Sequence, residues 1–194
     1  MSEVRHLDAS ELLAGLDHIR RSPADKGVVH MIVRRPETEQ REVCESGRLD
    51  EAEGLLGDSW SARGSSRMPD GSAHPEMQLN IMNSRVVDLV AVTRDRWPLA
   101  GDQIYIDMDL SKDNLPAGTR LALGSAIVEV TAEPHAGCKK FVARFGLEAM
   151  KFVNSGLGKT LCLRGINAKV VRSGEFRVGD IAQRLSRSES DAGA

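Results

Sequence analysis

Apolar and polar positions change period several times along the chain, and each change marks an element. Asp8-Ala9-Ser10-Glu11 has the spacing of a capping box, and Leu12, Leu13, Leu16 and Ile19 follow at helical intervals up to Ser22-Pro23. This predicts a helix over 8–21. Residues 28–33 and 40–44 read as two strands around a turn at Pro36, for which a hairpin is the simplest arrangement. Between 47 and 75 glycine, proline and serine dominate, which predicts mostly loop, and a loop that long is usually functional or mobile. Met77, Leu79 and Ile81 alternate with Gln78 and Asn80 as in a half-buried strand. Asn83-Ser84 then caps a helix carrying Val86, Val87, Leu89 and Val90, and Trp97-Pro98 closes that unit.

A clean period of two over 103–110 predicts a strand with one wet face. Short strands are expected at 119–123, 126–131, 160–164, 168–171 and 180–183, punctuated by Gly118, Gly124, Gly165, Gly174 and Gly179. Many short strands with a few inserted helices place the chain in the mainly β class, as a barrel or sandwich. The pattern implies one domain over 1–185 and a polar, disordered tail over 186–194.

Composition narrows the class. With 194 residues, 41% of them hydrophobic, a substantial core can form without disulfide staples. The three cysteines, Cys44, Cys138 and Cys162, are widely spaced and form no C-x-x-C pair, so neither a disulfide framework nor a structural zinc site is indicated. Residues 1–21 carry acids and bases throughout, unlike a signal peptide, and no apolar run approaches the ~20 residues of a membrane span. The expectation is a cytoplasmic protein with reduced thiols and no membrane partner.

Charge is distributed unevenly. The chain carries a formal net charge of −2, yet 134–178 holds nine lysines and arginines against Glu148 and Glu175. An anionic ligand is implied, for which a phosphorylated small molecule suits the pattern, the alternative being solvated outward faces of strands. Nucleic acid does not, because aromatic residues make up 4% of the chain and no nucleic-acid-binding signature occurs.

The basic segment contains Cys138, between a β-branched strand and apolar spacing that suggests a helix at Phe141, Val142 and Phe145. A thiol at a helix start, beside Lys139, Lys140 and Arg144, is placed to favour its thiolate, the alternative being a small buried hydrophobe. His135 serves either as an acid–base group or as a loop anchor. Asn154 and Ser155 either face a ligand or end the helix before Gly156. Gly156-Leu157-Gly158-Lys159-Thr160 mimics a phosphate-binding loop, but position 153 is valine and a strand is expected next. Asp107 and Asp109 share a strand face and read as solvated acids rather than metal ligands.

The ordered series Pro134-His135-Ala136-Gly137-Cys138-Lys139-Lys140-Phe141, Arg144-Phe145-Gly146, Leu163-Arg164-Gly165-Ile166 and Gly179-Asp180 resembles the MOSC domain, the C-terminal domain type of molybdenum cofactor sulfurases. Gly101-Asp102 and 115–119 agree as well, so the resemblance covers about 79–185. It implies a mostly antiparallel β-barrel with peripheral helices, in which Cys138 is a sulfur carrier or molybdenum ligand. A molybdopterin cofactor would find counter-charges in Lys139, Lys140, Arg144 and Arg164, and a polar contact in Asn154.

The sequence has neither the pyridoxal-phosphate domain of the sulfurases nor the cysteine cluster of an iron–sulfur domain. A separate cysteine desulfurase or electron-donor protein would then be the partner. Three functions follow as expectations. In the first, Cys138 ligates molybdenum and a small oxygenated or N-hydroxylated substrate is reduced. The others are a persulfide carrier and a non-catalytic anion-binding barrel.

Overall fold

A computed structural model of the protein describes residues 5–186. In chain order the elements are α1 (Ala9–Ala14), α2 (Leu16–Arg20), β1 (Lys26–Arg34), β2 (Glu42–Cys44), β3 (Ser46–Asp50), β4 (Gly54–Leu55), α3 (Trp60–Arg63), β5 (Leu79–Asn83) and α4 (Ser84–Ala91). There follow β6 (Ile104–Asp107), β7 (Arg120–Leu123), β8 (Ala126–Val130), α5 (Lys139–Phe145), α6 (Leu147–Asn154), α7 (Gly156–Thr160), β9 (Ile166–Arg172), β10 (Gly174–Arg177) and β11 (Ile181–Arg184).

Seven strands close into a barrel in the order β11-β7-β8-β9-β5-β6-β1, and β1 pairs back to β11. β2 joins β1 outside the ring as the expected hairpin partner, with Ile32 opposite Cys44. The barrel is mixed rather than antiparallel, because β5 and β6 run parallel. The cause lies in the connection: α4 and a 3-10 turn over 94–100 carry the chain back to the start of the next strand, as a parallel pair requires.

Two apolar clusters use the two faces of the sheet. Inside the barrel lie Val29, Ile32, Leu79, Ile81, Ile104 and Ile106. Outside, Met31, Val33, Met82 and Tyr105 meet apolar residues of α1, α2, α4, α5 and α6. This roof corrects the expected wet face of β6. Gln103 and Tyr105 are fully buried, and the Tyr105 hydroxyl donates to the Trp97 carbonyl at 2.9 Å. Asp107 accepts from Arg85 at 2.7 and 2.9 Å. Similarly, β5 is buried along its whole length instead of half-buried.

The capping box at Asp8 and Glu11 is formed, and Asn83 caps α4. The loop expected over 47–75 is interrupted by β3, β4 and α3. β3 pairs with β10 more than a hundred residues away, and Leu49, Leu55 and Phe176 of this small sheet join the barrel core. The strand expected over 160–164 is absent. Ser155 caps α7 by accepting from the Gly158 amide, and the chain then turns through Cys162 at φ 49° and Gly165 at φ 107°. Of the expected disordered tail, 187–194 lie outside the described residues. No helix among those described is long and apolar enough to cross a membrane.

Candidate functional site

Cys138 is exposed and stands at the N-cap of α5, with extended backbone and its carbonyl accepting from the Val142 amide at 3.1 Å. Burial of Phe141 and Phe145 fixes that helix against the outer cluster, so the cysteine is left at its free end. The preceding loop is held by Asn154. Its amide accepts from the Gly137 N–H at 2.9 Å and donates to the Gly137 carbonyl at 3.0 Å, a two-point clasp on the residue before Cys138.

His135 sits three residues earlier and is tied to the barrel by Asp102. Its Nε2 lies 2.9 Å from Asp102 Oδ1, and Arg164 Nη1 donates to both Asp102 oxygens at 3.0 and 2.7 Å. Arg164 also donates to the Ala100 carbonyl and lies over the Phe141 ring, 5.1 Å from its centroid. The Asp102 carboxyl is fully buried. Burial alone would raise its pKa, but Arg164 and His135 outweigh that and hold it below the ordinary carboxylate range. His135 is pushed down, first by burial and then by Arg164. A neutral imidazole facing a carboxylate places its proton on Nε2, which leaves the Nδ1 lone pair as acceptor.

Close approach makes glycine necessary at 165. A side chain there would put Cβ 2.4 Å from the Ile81 carbonyl oxygen and 3.2 Å from His135, at a φ that disfavours other residues.

A pocket of about 230 Å³ opens beside Cys138 and His135. Arg35, Arg41, Arg63, Lys140, Arg144 and Arg164 all line it, with Glu37 and Glu39. Arg35 is buried and doubly hydrogen-bonded to Asp58 at 2.9 Å, and it also donates to Asn80 and the Gly101 carbonyl. Glu39 pairs with Lys140 at 2.7 Å and with Arg144. Those two cations hold the Glu39 carboxyl below its usual range. With Asp58 and Asp102 included, six cations face four carboxylates.

Arg41 and Arg63 have no carboxylate partner among the described residues. Burial, and then neighbouring guanidinium charge, lowers the pKa of both. A deficit of negative charge therefore remains in the pocket, which an anionic group would fill.

Of the residues singled out by sequence, Cys138, His135, Lys140, Arg144 and Arg164 converge. Lys139 is exposed without an ion-pair partner among the described residues, and the amide of Asn154 is engaged with Gly137. The rest of the basic segment disperses: Lys151 pairs with Glu148, and Lys169 with Glu76 and Glu129. Sequence reasoning missed Arg35, Arg41 and Arg63, and also Asp58 and Glu39. No local motif marks them, because their proximity depends on barrel closure. Asp102 was legible only through the Gly101-Asp102 match.

No protein-family model matches the sequence, and no curated protein matches it. Solved structures do match. The YuaD protein from Bacillus subtilis superimposes with a TM-score of 0.60 at 17% identity, over 84% of this chain and 97% of its own. For YiiM from Escherichia coli the TM-score is 0.52 at 17% identity, over 82% of this chain and 70% of that one. A hypothetical protein gives 0.56 at 18% identity, over 84% and 68%. At such identities the likeness is one of fold. The closed barrel and these neighbours fit a MOSC-type fold.

Proposed function

We propose that this protein binds a molybdenum cofactor of the molybdopterin type, with Cys138 as metal ligand and the arginine-rich pocket as the seat of its anionic group. One observation carries the reading. An exposed thiol and two guanidiniums without carboxylate partners border the same small pocket.

The residues present fit such a group. Thiolate is a soft donor suited to molybdenum, and Arg41 and Arg63 offer charge-assisted donors to phosphate. Arg164 Nε is buried without a hydrogen-bond partner, on a side chain that lines the pocket. When bound, the cofactor would supply a metal centre for oxygen or sulfur transfer. The protein's own residues would do the rest. His135 Nδ1 takes up protons from solvent and passes them to the substrate oxygen, which leaves as water once two electrons and two protons have been delivered. Asp102 holds the ring in the accepting tautomer, and Arg164 keeps it neutral between transfers. Electrons come from a separate donor protein in a reducing, cytoplasmic setting, and the substrate is a small oxygenated or N-hydroxylated molecule.

The test is to purify wild type, Cys138→Ser and Arg41→Ala/Arg63→Ala from a cofactor-competent host and to measure molybdenum and pterin separately. Wild type should carry both. Cys138→Ser should lose thiolate-to-metal absorption while retaining most of the pterin. The double arginine variant should lose metal and pterin together, by about tenfold or more, since a hydrogen bond to a charged group is worth about 1.5–3 kcal/mol. A mass gain of about 32 Da on Cys138, without metal or pterin, would instead assign a persulfide carrier supplied by a cysteine desulfurase. Freshly purified protein with none of the three would overturn both readings.

A further inference from the structure

A second cavity, of about 420 Å³, shares His135 and Arg164 with the first. Its character is different. Leu115, Ala117, Val130, Ala132, Val153 and Ile166 supply an apolar lining. The volume falls within the range of small-molecule sites, roughly 300–1,000 Å³.

The charged groups on this cavity are informative. Glu133, an acid on its wall, is paired with Arg67 at 2.9 Å. Arg164 is committed to Asp102. Lys112 and Lys159 are exposed, line the cavity and make no ion pair among the described residues. The Lys112 amide donates to the Thr160 carbonyl at 3.1 Å, which fixes the Lys112 backbone beside the end of α7. An apolar chamber with two free ammonium groups and no free carboxylate selects an apolar molecule bearing negative charge.

We propose that this cavity is the substrate chamber and that the substrate class is a small organic acid with an apolar body. The carboxylate lies at Lys112 and Lys159, and the reacting group is presented at the junction with the Cys138 pocket, where His135 and Arg164 line both spaces. Assigning the occupant as substrate rests on the function proposed above for Cys138; binding of the acid does not.

The experiment therefore uses cofactor-free protein, titrated calorimetrically with octanoate, octan-1-ol and octylamine. Octanoate should bind about tenfold more tightly than octan-1-ol, the difference expected from roughly one charge-assisted contact, and octylamine most weakly. Lys112→Ala/Lys159→Ala should make octanoate and octan-1-ol equivalent. Ala117→Trp and Ala132→Trp fill the chamber from exposed positions and should each abolish binding, with unchanged circular dichroism and unchanged cofactor content in protein from a competent host.

Octanoate should also slow alkylation of Cys162, which lines this chamber, but not that of Cys138. Failure of octanoate to bind, equal affinity for all three ligands, or binding that survives both tryptophan substitutions would overturn the proposal. Cofactor content fails or holds independently. Octanoate binding in protein that never takes up cofactor would retain the acid chamber and remove its assignment to substrate.

Discussion

The Cys138 pocket and the apolar chamber meet at one wall and are built on opposite principles. The pocket gathers charge from distant places: Arg35 and Arg41 flank the β1–β2 turn, Arg63 ends α3, Arg144 lies on α5, and Arg164 precedes β9. The chamber draws much of its lining from two continuous stretches, 115–117 and 130–136. Where the two spaces meet stands a hydrogen-bonded group of three, half-buried His135 with buried Asp102 and Arg164. The contrast teaches that the basic run supplies Lys140, Arg144 and Arg164, each paired with Glu39 or Asp102, and does not supply the pocket's uncompensated charge. Several of its cations are neutralised on the spot, whereas unpaired guanidiniums arrive from outside it.

If the shared wall organises both spaces, removing its centre should have the largest effect. Asp102→Ala leaves Arg164 buried and uncompensated, a loss of about 3–5 kcal/mol of unfolding free energy. Urea denaturation measures it, and octanoate binding and cofactor content should fall in the same variant. A loss below about 1 kcal/mol, the scale of an exposed pair, would show that the two spaces are supported independently.

The cysteines sharpen the comparison. Cys138 is exposed on the cationic pocket, while Cys162 is half-buried and its thiol is pushed up by burial, with Lys112 opposing only in part. Anionic iodoacetate should therefore alkylate Cys138 faster than Cys162, by about tenfold or more at low salt, with the gap narrowing as salt rises. Peptide mapping over time gives both rates. Equal rates would remove the electrostatic distinction between the two spaces.

The smallest effect concerns pH. The folded pKa of His135 lies below its unfolded value of about 6.5, so the unfolded chain binds more protons as the pH falls below that value. Stability should decline on acidification from about pH 6.5, by at most about 1.4 kcal/mol per pH unit from this group. Asp102, also depressed, adds its loss at lower pH, below the ordinary carboxylate range. His135→Gln should flatten the slope near pH 6 while leaving the more acidic limb.

Much of the local structure is written in the sequence. Asp8 and Glu11 close their capping box, Asn83 caps α4, β1 and β2 form their hairpin, and Cys138 heads a helix, because each depends on neighbours within a few residues. The mainly β class follows from the same local periods. Where distant segments decide the environment, those periods mislead. Alternation turns Tyr105 of β6 toward water, but helices cover it, and it puts Cys162 on a strand, but that residue lies in a turn beyond α7.

Only the tertiary structure decided that β5 and β6 run parallel, that β3 finds β10, and that Arg41 and Arg63 join Cys138 around one pocket. It alone set Asp102 between His135 and Arg164. Local preference fixes an element's type through contacts a few residues apart. Pairing and charge convergence are fixed by burial shared between segments far apart in the chain, to which no local period is sensitive.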